Sequence, residues 1–416
     1  MLVGRNRITI TYAVLGTMWL FLFQLCRRYN YTDPSSFFYD SRRAYKTRYT
    51  DHREREADNL IDIVNHAEEP FKLSSIYRDV NTQDRGNRLC VGIPSVARAK
   101  QYFLPKTLGS LLESLDVSQR RSLHVIVLLA DDDPTRHPAF SQTWLERLTD
   151  EVLVYNDTSP STLPSKYRKT EPIASKHVKT MIRNDRIHRD YASLIANCRR
   201  TEADYFLLVE DDVVAARDWL DKLSKGLDHL ERTDDSANWL YLRLFYSETY
   251  LGWNSEEWPV YLLRSLVLYS MILVVYFVIV AADLRTRSQT FHLKTHRYTI
   301  GHITFWTASF IILYFLAGRL MVDPYKEGIQ EMPNYGCCAQ GLVMPTQHLP
   351  ALEDNLYTAS EDIAGDSLIE EFADKRGLKK YAIVPSVLQH VGIKGSSDDN
   401  ASKKGTWNFS FEKINS

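Results

Sequence analysis

The sequence predicts an α/β protein with a parallel, doubly wound sheet that a transmembrane helical hairpin interrupts and an N-terminal transmembrane anchor precedes. Three observations lead there. Short apolar runs alternate with amphipathic stretches, the pattern of strands joined by helical crossovers. One such run, Tyr-Phe-Leu-Leu-Val at 205–209, stops abruptly at three carboxylates, Glu210, Asp211 and Asp212. Three longer apolar stretches are membrane-sized.

Residues 8–26 carry no charge, and about 28 Å of helix at that length nearly matches a hydrocarbon core of roughly 30 Å. No small-residue cleavage site follows, so the stretch reads as an uncleaved anchor behind a cytosolic 1–7. Residues 27–87 are charged and rich in Tyr and Arg, a stem with helical stretches. The compact part opens with a strand at 89–93, a turn at Pro94 and Ser95, and an amphipathic helix at 102–115. Strands at 123–130 and 151–155 follow, the first ending in Asp131, Asp132 and Asp133. A basic helix over about 175–200 leads into the strand that carries Glu210 to Asp212, and a helix at 216–230 and a strand at 239–245 come next.

The hairpin comprises spans at 259–282 and 298–320. Their link, 283–297, carries Arg285, Arg287, Lys294 and Arg297 against one acid, Asp283, and short basic loops stay in the cytosol. Both flanks are then lumenal. Beyond the hairpin lie a Gly/Cys-rich segment, a helix over about 363–375 and a strand near 381–384, too little to form a core alone. The hairpin therefore interrupts one domain, with parts at 88–258 and 321–395, and 396–416 is a tail.

With 51 Lys and Arg against 52 Asp and Glu, no basic field invites nucleic acid. Four sequons, at Asn30, Asn156, Asn400 and Asn408, fall on the side assigned to the lumen. In an oxidising lumen Cys90, Cys198, Cys337 and Cys338 allow three pairings, of which Cys90–Cys198 with a vicinal Cys337–Cys338 bridge is the expected one.

Three adjacent carboxylates repel one another, so the tip of the 205–209 strand makes sense if a cation sits there; a solvated acidic turn is the alternative. Ligands of open α/β sheets bind at the carboxyl ends of strands, where this triplet lies. Oxygen ligands at Glu210 and Asp212 suit Mn²⁺ or Mg²⁺. Asp131 to Asp133 is a second acidic triplet, ranked lower because Pro134 follows at once.

Val-Gly-Ile-Pro-Ser-Val-Ala-Arg at 91–98, Thr-Leu-Gly-Ser-Leu at 107–111, Glu210-Asp-Asp, Leu244-Phe-Tyr-Ser, Asp366-Ser-Leu-Ile and Pro385-Ser-Val-Leu-Gln-His-Val-Gly occur in that order. Together they resemble the N-glycan branching N-acetylglucosaminyltransferases of type IV, and so a GT-A glycosyltransferase. Those enzymes have no membrane pair inside the domain. A GT-A domain split by a hairpin is similar to the Golgi family that adds N-acetylgalactosamine to glycosylphosphatidylinositol (GPI) after its attachment to protein. A GPI glycan is tethered to the bilayer, which gives the hairpin a physical rationale.

The resemblance implies a multi-pass Golgi membrane protein with a lumenal catalytic domain, using UDP-GalNAc as donor and GPI-anchored proteins as acceptors, with inversion by single displacement. It also implies site residues. Ile93, Pro94, Ser95 and Arg98 would hold the nucleotide, with Asp131 and Asp133 near uracil or ribose. Asp211 would face the sugar or ribose, and His390 would lie near the diphosphate, completing the metal shell or acting only as a structural hydrogen-bonding group. Asp366 is the first choice for the general base. Asp362, four residues earlier on the same helical face, and Glu361 are the other choices, with ordinary helix N-terminal carboxylates as the alternative. A branching-type transferase and a non-catalytic glycolipid-binding membrane protein are the competing functions.

Overall fold

The computed structural model describes residues 2–68, 77, 88–98, 101–155, 162–170, 183–232, 238–287, 293–332, 338–360, 362–392 and 406–414. These fall into two compact units, one from residues 1–46 and 248–325, the other from residues 47–247 and 326–416.

In the first unit, three helices are long and apolar enough to cross a membrane: Thr9–Thr32, Trp258–Arg285 and His296–Ala317. Their outward side chains, such as Val274, Val278 and Ile279, are about 60% exposed, as lipid-facing residues must be. The last-turn carbonyls of the Leu293–Ala317 helix have no partners within it, and neighbours supply them. Trp253 Nε1 donates to Phe315 O at 3.0 Å, Phe37 N to Leu316 O at 2.9 Å, and Asn30 Nδ2 to Ala317 O at 2.8 Å. The span thus ends at Ala317 rather than at 320. Gly318 follows at φ 98°, where a Cβ would lie 2.4 Å from Asp33 Oδ2, so glycine is required.

The second unit holds eleven strands among its described residues: β1 (Leu89–Ser95), β2 (Leu123–Leu129), β3 (Glu151–Tyr155), β4 (Tyr167–Thr170), β5 (Tyr205–Val209), β6 (Val213–Ala215), β7 (Trp239–Arg243), β8 (Gly328–Glu331), β9 (Gly341–Pro345), β10 (Lys379–Val384) and β11 (Leu388–His390). Nine form one sheet in the order β4-β3-β2-β1-β5-β9-β7-β10-β8, and β6 pairs with β11 apart from it. The sheet is mixed, not parallel throughout. Strand β9 runs antiparallel between β5 and β7, and β8 antiparallel along β10. Both come from the segment read as merely Gly- and Cys-rich. Apolar side chains cover both faces of the sheet, which is why its strands read as continuous apolar runs.

Two further expectations are corrected. The stem does not stop short of the domain: the helix Tyr49–His66 packs on the helix Leu104–Leu112 so closely that a Cβ on Gly109 would sit 2.8 Å from Ala57 Cβ. Arg53 on that helix is fully buried, donating to Ala215 O at 2.9 Å, Ser110 O at 2.8 Å and Glu113 at 2.7 Å. A buried guanidinium is tolerated because its donors are matched. The tail is likewise part of the core. Trp407, Phe409 and Phe411 are buried, and Glu412 Oε2 accepts from Arg48 N at 2.7 Å and Tyr49 N at 3.1 Å, satisfying the first amides of the Tyr49–His66 helix.

Cys90 and Cys198 are disulfide-bonded, with Cα atoms 5.7 Å apart. Cys338 is also disulfide-bonded; its expected partner Cys337 lies outside the described residues, as do the sequons Asn156 and Asn400. The other two sequons are engaged. Asn30 donates to Ala317 O, and buried Asn408 donates through Nδ2 to Tyr246 O at 3.2 Å and accepts from Phe411 N at 2.9 Å. Each amide nitrogen spends a hydrogen on a main-chain carbonyl, and Asn408 is fully buried. Asn30→Gln and Asn408→Gln should leave the electrophoretic mobility of the protein, and its shift on N-glycanase treatment, unchanged; a faster band from either variant would show that the site is occupied.

Candidate active site

Strands β1, β2 and β5 run parallel and side by side, Gly92 opposite Leu208 and Ser95 opposite Leu129. Their carboxyl ends therefore meet along one sheet edge, and Glu210, Asp211 and Asp212 form the turn between β5 and β6 at that edge. Thr107 holds the turn's backbone: its Oγ1 is 2.7 Å from the carbonyl oxygens of Asp211 and Val213 and accepts from Val213 N at 3.2 Å.

The three carboxylates occupy different surroundings. Asp211 is buried and held at both oxygens, by Ser95 Oγ donating at 2.6 Å and Arg98 Nη2 donating at 2.6 Å. Ser95 is in turn 3.1 Å from His137 Nε2, and Ala139 N donates to His137 Nδ1 at 3.1 Å. Burial, with Arg98 adding to it, lowers His137 to about 4; the neutral ring thus carries its proton on Nε2, donates to Ser95 and frees the hydroxyl proton for Asp211. Burial raises Asp211 to about 6 against the opposing charge of Arg98.

Asp212 is 2% exposed. Its Oδ2 lies 3.4 Å from His390 Nε2 and 3.6 Å from Arg98 Nη2, and its Oδ1 is buried with no hydrogen-bond partner. Burial alone would raise its carboxyl, but His390, by charge and hydrogen bond, and Arg98 hold it below the ordinary value. Burial would lower His390, and the charge of Asp212 overrides it, so His390 is raised. Antiparallel pairing of β11 with β6 sets His390 opposite Val213, and its Nδ1 meets Thr406 O at 3.1 Å. Glu210 is pushed up to about 7 by burial and then by Asp212, and Tyr191 OH donates to its Oε1 at 3.3 Å.

The chemistry of these groups suits a hard divalent cation. Asp212 Oδ1 is an orphaned buried acceptor. A Cβ on Gly392 would come 2.9 Å from His390 Nε2 and 3.1 Å from Asp212 Oδ2, so glycine leaves open the side on which those two atoms meet. Among the described residues no three His, Cys, Asp or Glu side chains are arranged to hold an ion by themselves. Cations of the Mg²⁺ class take one or two carboxylates and fill the remaining positions with water and substrate phosphate oxygens.

The remaining expected residues are placed as follows. Asp366 stands in the first turn of the helix Gly365–Arg376, accepting from Ser367 N at 2.8 Å, and its charge raises both Glu210 and Tyr191. Gly365 permits this, since a Cβ there would sit 2.7 Å from Ile187 Cγ2 and 3.1 Å from Tyr191 Cε2. Asp362 does not share a helical face with it. The helix begins only at Gly365, and Asp362 is an exposed turn residue 3.3 Å from Ser360 Oγ. Glu361 lies outside the described residues. Asp131 accepts from Ala97 N with both oxygens, at 3.1 and 3.0 Å, tying the end of β2 to the loop that carries Arg98. Asp133 caps the turn at Pro134–Arg136 through Thr135 N at 3.1 Å. The side chain of Ile93 is in the core, which leaves only its backbone for a ligand. Sequence reasoning missed Tyr191, His137 and the Thr406 carbonyl. None carries a local pattern, since each matters through a partner at least 16 residues away.

A family model described as GPI-N-acetylgalactosamine transferase PGAP4 matches residues 89–389, well over half of the chain. The chain belongs to this family. The PGAP4 match begins with the first residue of β1, contains the carboxylate turn, both hairpin helices and Asp366, and ends one residue before His390. Curated relatives include an alpha-1,6-mannosyl-glycoprotein 4-beta-N-acetylglucosaminyltransferase of Gallus gallus, 27% identical over 176 residues, covering 41% of this chain and 37% of the relative. Alpha-1,3-mannosyl-glycoprotein 4-beta-N-acetylglucosaminyltransferase C of Mus musculus is 26% identical over 183 residues, covering 42% of this chain and 36% of the relative. The chain thus spans little more than a third of the length of these relatives.

Proposed function

We propose that this protein is a Golgi glycosyltransferase of GT-A fold that transfers N-acetylgalactosamine from a UDP-sugar to the mannose core of GPI anchors on proteins. The observation that carries the reading is the buried carboxylate turn at the end of β5, inside a PGAP4 family match that also includes two membrane spans. Asp212, with Glu210 or His390 beside it, would hold a Mn²⁺ or Mg²⁺ ion, which would supply neutralisation of the charge on the leaving diphosphate. The chain's own groups do the rest. Arg98 and the loop held by Asp131 orient the nucleotide. Asp366 accepts the proton of an acceptor hydroxyl as its oxygen bonds to the anomeric carbon, while the carbon–oxygen bond to the diphosphate breaks and its electron pair leaves with UDP. One displacement inverts the anomeric centre. The catalytic unit is lumenal in this reading, and the chain's three spans anchor it to the bilayer to which the GPI glycan is also tethered.

The relatives are named for transfer to mannosyl-glycoproteins, which favours a second reading with N-glycan acceptors. Mass analysis of glycans from cells with and without the gene separates the two. GPI glycans should lose one N-acetylhexosamine in the deleted line and regain it on complementation, with N-glycan antennae unchanged. Loss of an N-glycan antenna with intact GPI side chains would replace the proposal by the second reading.

A further inference from the structure

The first unit contains a polar knot that its helix caps do not explain. Around the end of the Leu293–Ala317 helix the last-turn carbonyls are matched, yet three donors in the same unit are buried without an acceptor: Arg319 Nη1, Asn254 Nδ2 and Tyr325 OH. They are joined through one ion pair. Arg319 Nε lies 3.2 Å from Glu257 Oε2, the Tyr325 ring lies under the Arg319 guanidinium at 4.8 Å, and Glu257 N donates to Asn254 Oδ1 at 2.9 Å. That last bond orients the amide and fixes which way Nδ2 faces. Arg319 is only 6% exposed, so bulk water does not satisfy it.

The position of the knot constrains the missing acceptor. The Trp258–Arg287 helix has 30 residues, about 45 Å long against a hydrocarbon core of roughly 30 Å. Its ends therefore reach the headgroup layer, and Asn254 and Glu257 directly precede its first turn. Exposed Trp258 and Tyr250 beside them are the aromatic residues that favour that layer. Glu257 pairs with Arg319 and Asp323 with Arg264, and exposed Glu256 adds a further negative charge near Tyr325, so the knot offers hydrogen-bond donors rather than excess positive charge and suits a singly charged phosphodiester better than a dianion. Burial and Glu257 push the Tyr325 phenol to about 12, so it remains a donor.

We infer that Arg319, Asn254 and Tyr325 form a binding site for a phosphodiester, the headgroup phosphate of a membrane lipid, at the end of the hairpin. It is a binding site separate from the carboxylate turn, and its test does not depend on the transferase reading.

The full chain in dodecyl maltoside is titrated with dihexanoyl phosphatidylinositol, with dihexanoylglycerol as the phosphate-free control and with inorganic phosphate, following the melting temperature. The phosphoinositide should raise it and the diacylglycerol should not. Arg319→Gln and Tyr325→Phe should each weaken the apparent affinity by about tenfold or more, as expected for loss of a hydrogen bond to a charged group. Stabilisation by the lipid but not by inorganic phosphate assigns the site to a headgroup; equal stabilisation by both assigns it to free phosphate and overturns the lipid source. Tyr325→Phe keeps the ring under Arg319 and so carries the test if Arg319→Gln fails to fold. Absence of any phosphate-dependent shift, or parental affinity in a folded Tyr325→Phe protein, overturns the site.

Discussion

Asp212→Asn should reduce transfer about a thousand-fold, the scale of several kcal/mol of charge stabilisation lost from the transition state, while the protein folds and reaches its normal membrane. The substitution keeps the shape of the side chain in a site that is 2% exposed and removes the charge that faces His390 at 3.4 Å. Binding of Mn²⁺ with UDP, measured by calorimetry on the purified protein, should disappear with it. Asp211→Asn should behave differently. That carboxylate is used at both oxygens by Ser95 and Arg98, so its neutralisation should loosen the loop after β1 and raise the KM for donor with a smaller loss of kcat. If Asp212→Asn keeps more than a few per cent of activity, the buried turn serves the fold alone, and the assignment of the active site to this edge fails.

A chain ending at Gly405 should not fold. Truncation removes Trp407, Phe409 and Phe411, which are 0%, 2% and 0% exposed. Deleting one large buried aromatic costs about 3–5 kcal/mol, and three together consume most or all of a stability of roughly 5–15 kcal/mol. The same cut removes Glu412 from the first amides of the Tyr49–His66 helix, the Thr406 carbonyl from His390, and the main chain of Asn408 from its reciprocal pair with Gln389, at 2.8 and 3.1 Å. The expected readout is retention in the endoplasmic reticulum and loss of a cooperative melt. A truncated protein that melts cooperatively near the parental temperature would show that the segment is dispensable. Glu412→Gln is the milder probe: it keeps a carbonyl oxygen at the helix start and should cost about 1 kcal/mol through the lost charge.

Some of this was legible without coordinates. Residues 205–209 followed by three carboxylates specify a buried strand with an acidic tip, because five consecutive apolar side chains satisfy a sheet covered on both faces and the carboxylates cannot enter it. The long uncharged runs specify membrane spans for a similar reason: only a helix satisfies its own backbone in hydrocarbon. Composition and local periodicity report on solvation, and these are solvation decisions.

Pairing decisions are of another kind, and only the tertiary structure made them. Strand β9 is five residues whose own pattern does not tell which strands it joins; its place between β5 and β7, antiparallel to both, depends on residues about a hundred or more positions away. The same holds for the Tyr49–His66 helix, expected to be stem, which enters the core because Gly109 lets Ala57 approach and Arg53 finds acceptors both on β6 and at the end of the Leu104–Leu112 helix. The spacing of Asp362 from Asp366 fits one helical turn, whereas the helix begins only at Gly365, where the chain packs too closely on Ile187 and Tyr191 for a side chain. The site follows the same division. The sequence by itself determined which carboxylates end the strand, while the protonation and freedom of each depend on Ser95, Arg98, Tyr191 and His390, which only long-range packing brings within hydrogen-bond or charge-pair distance.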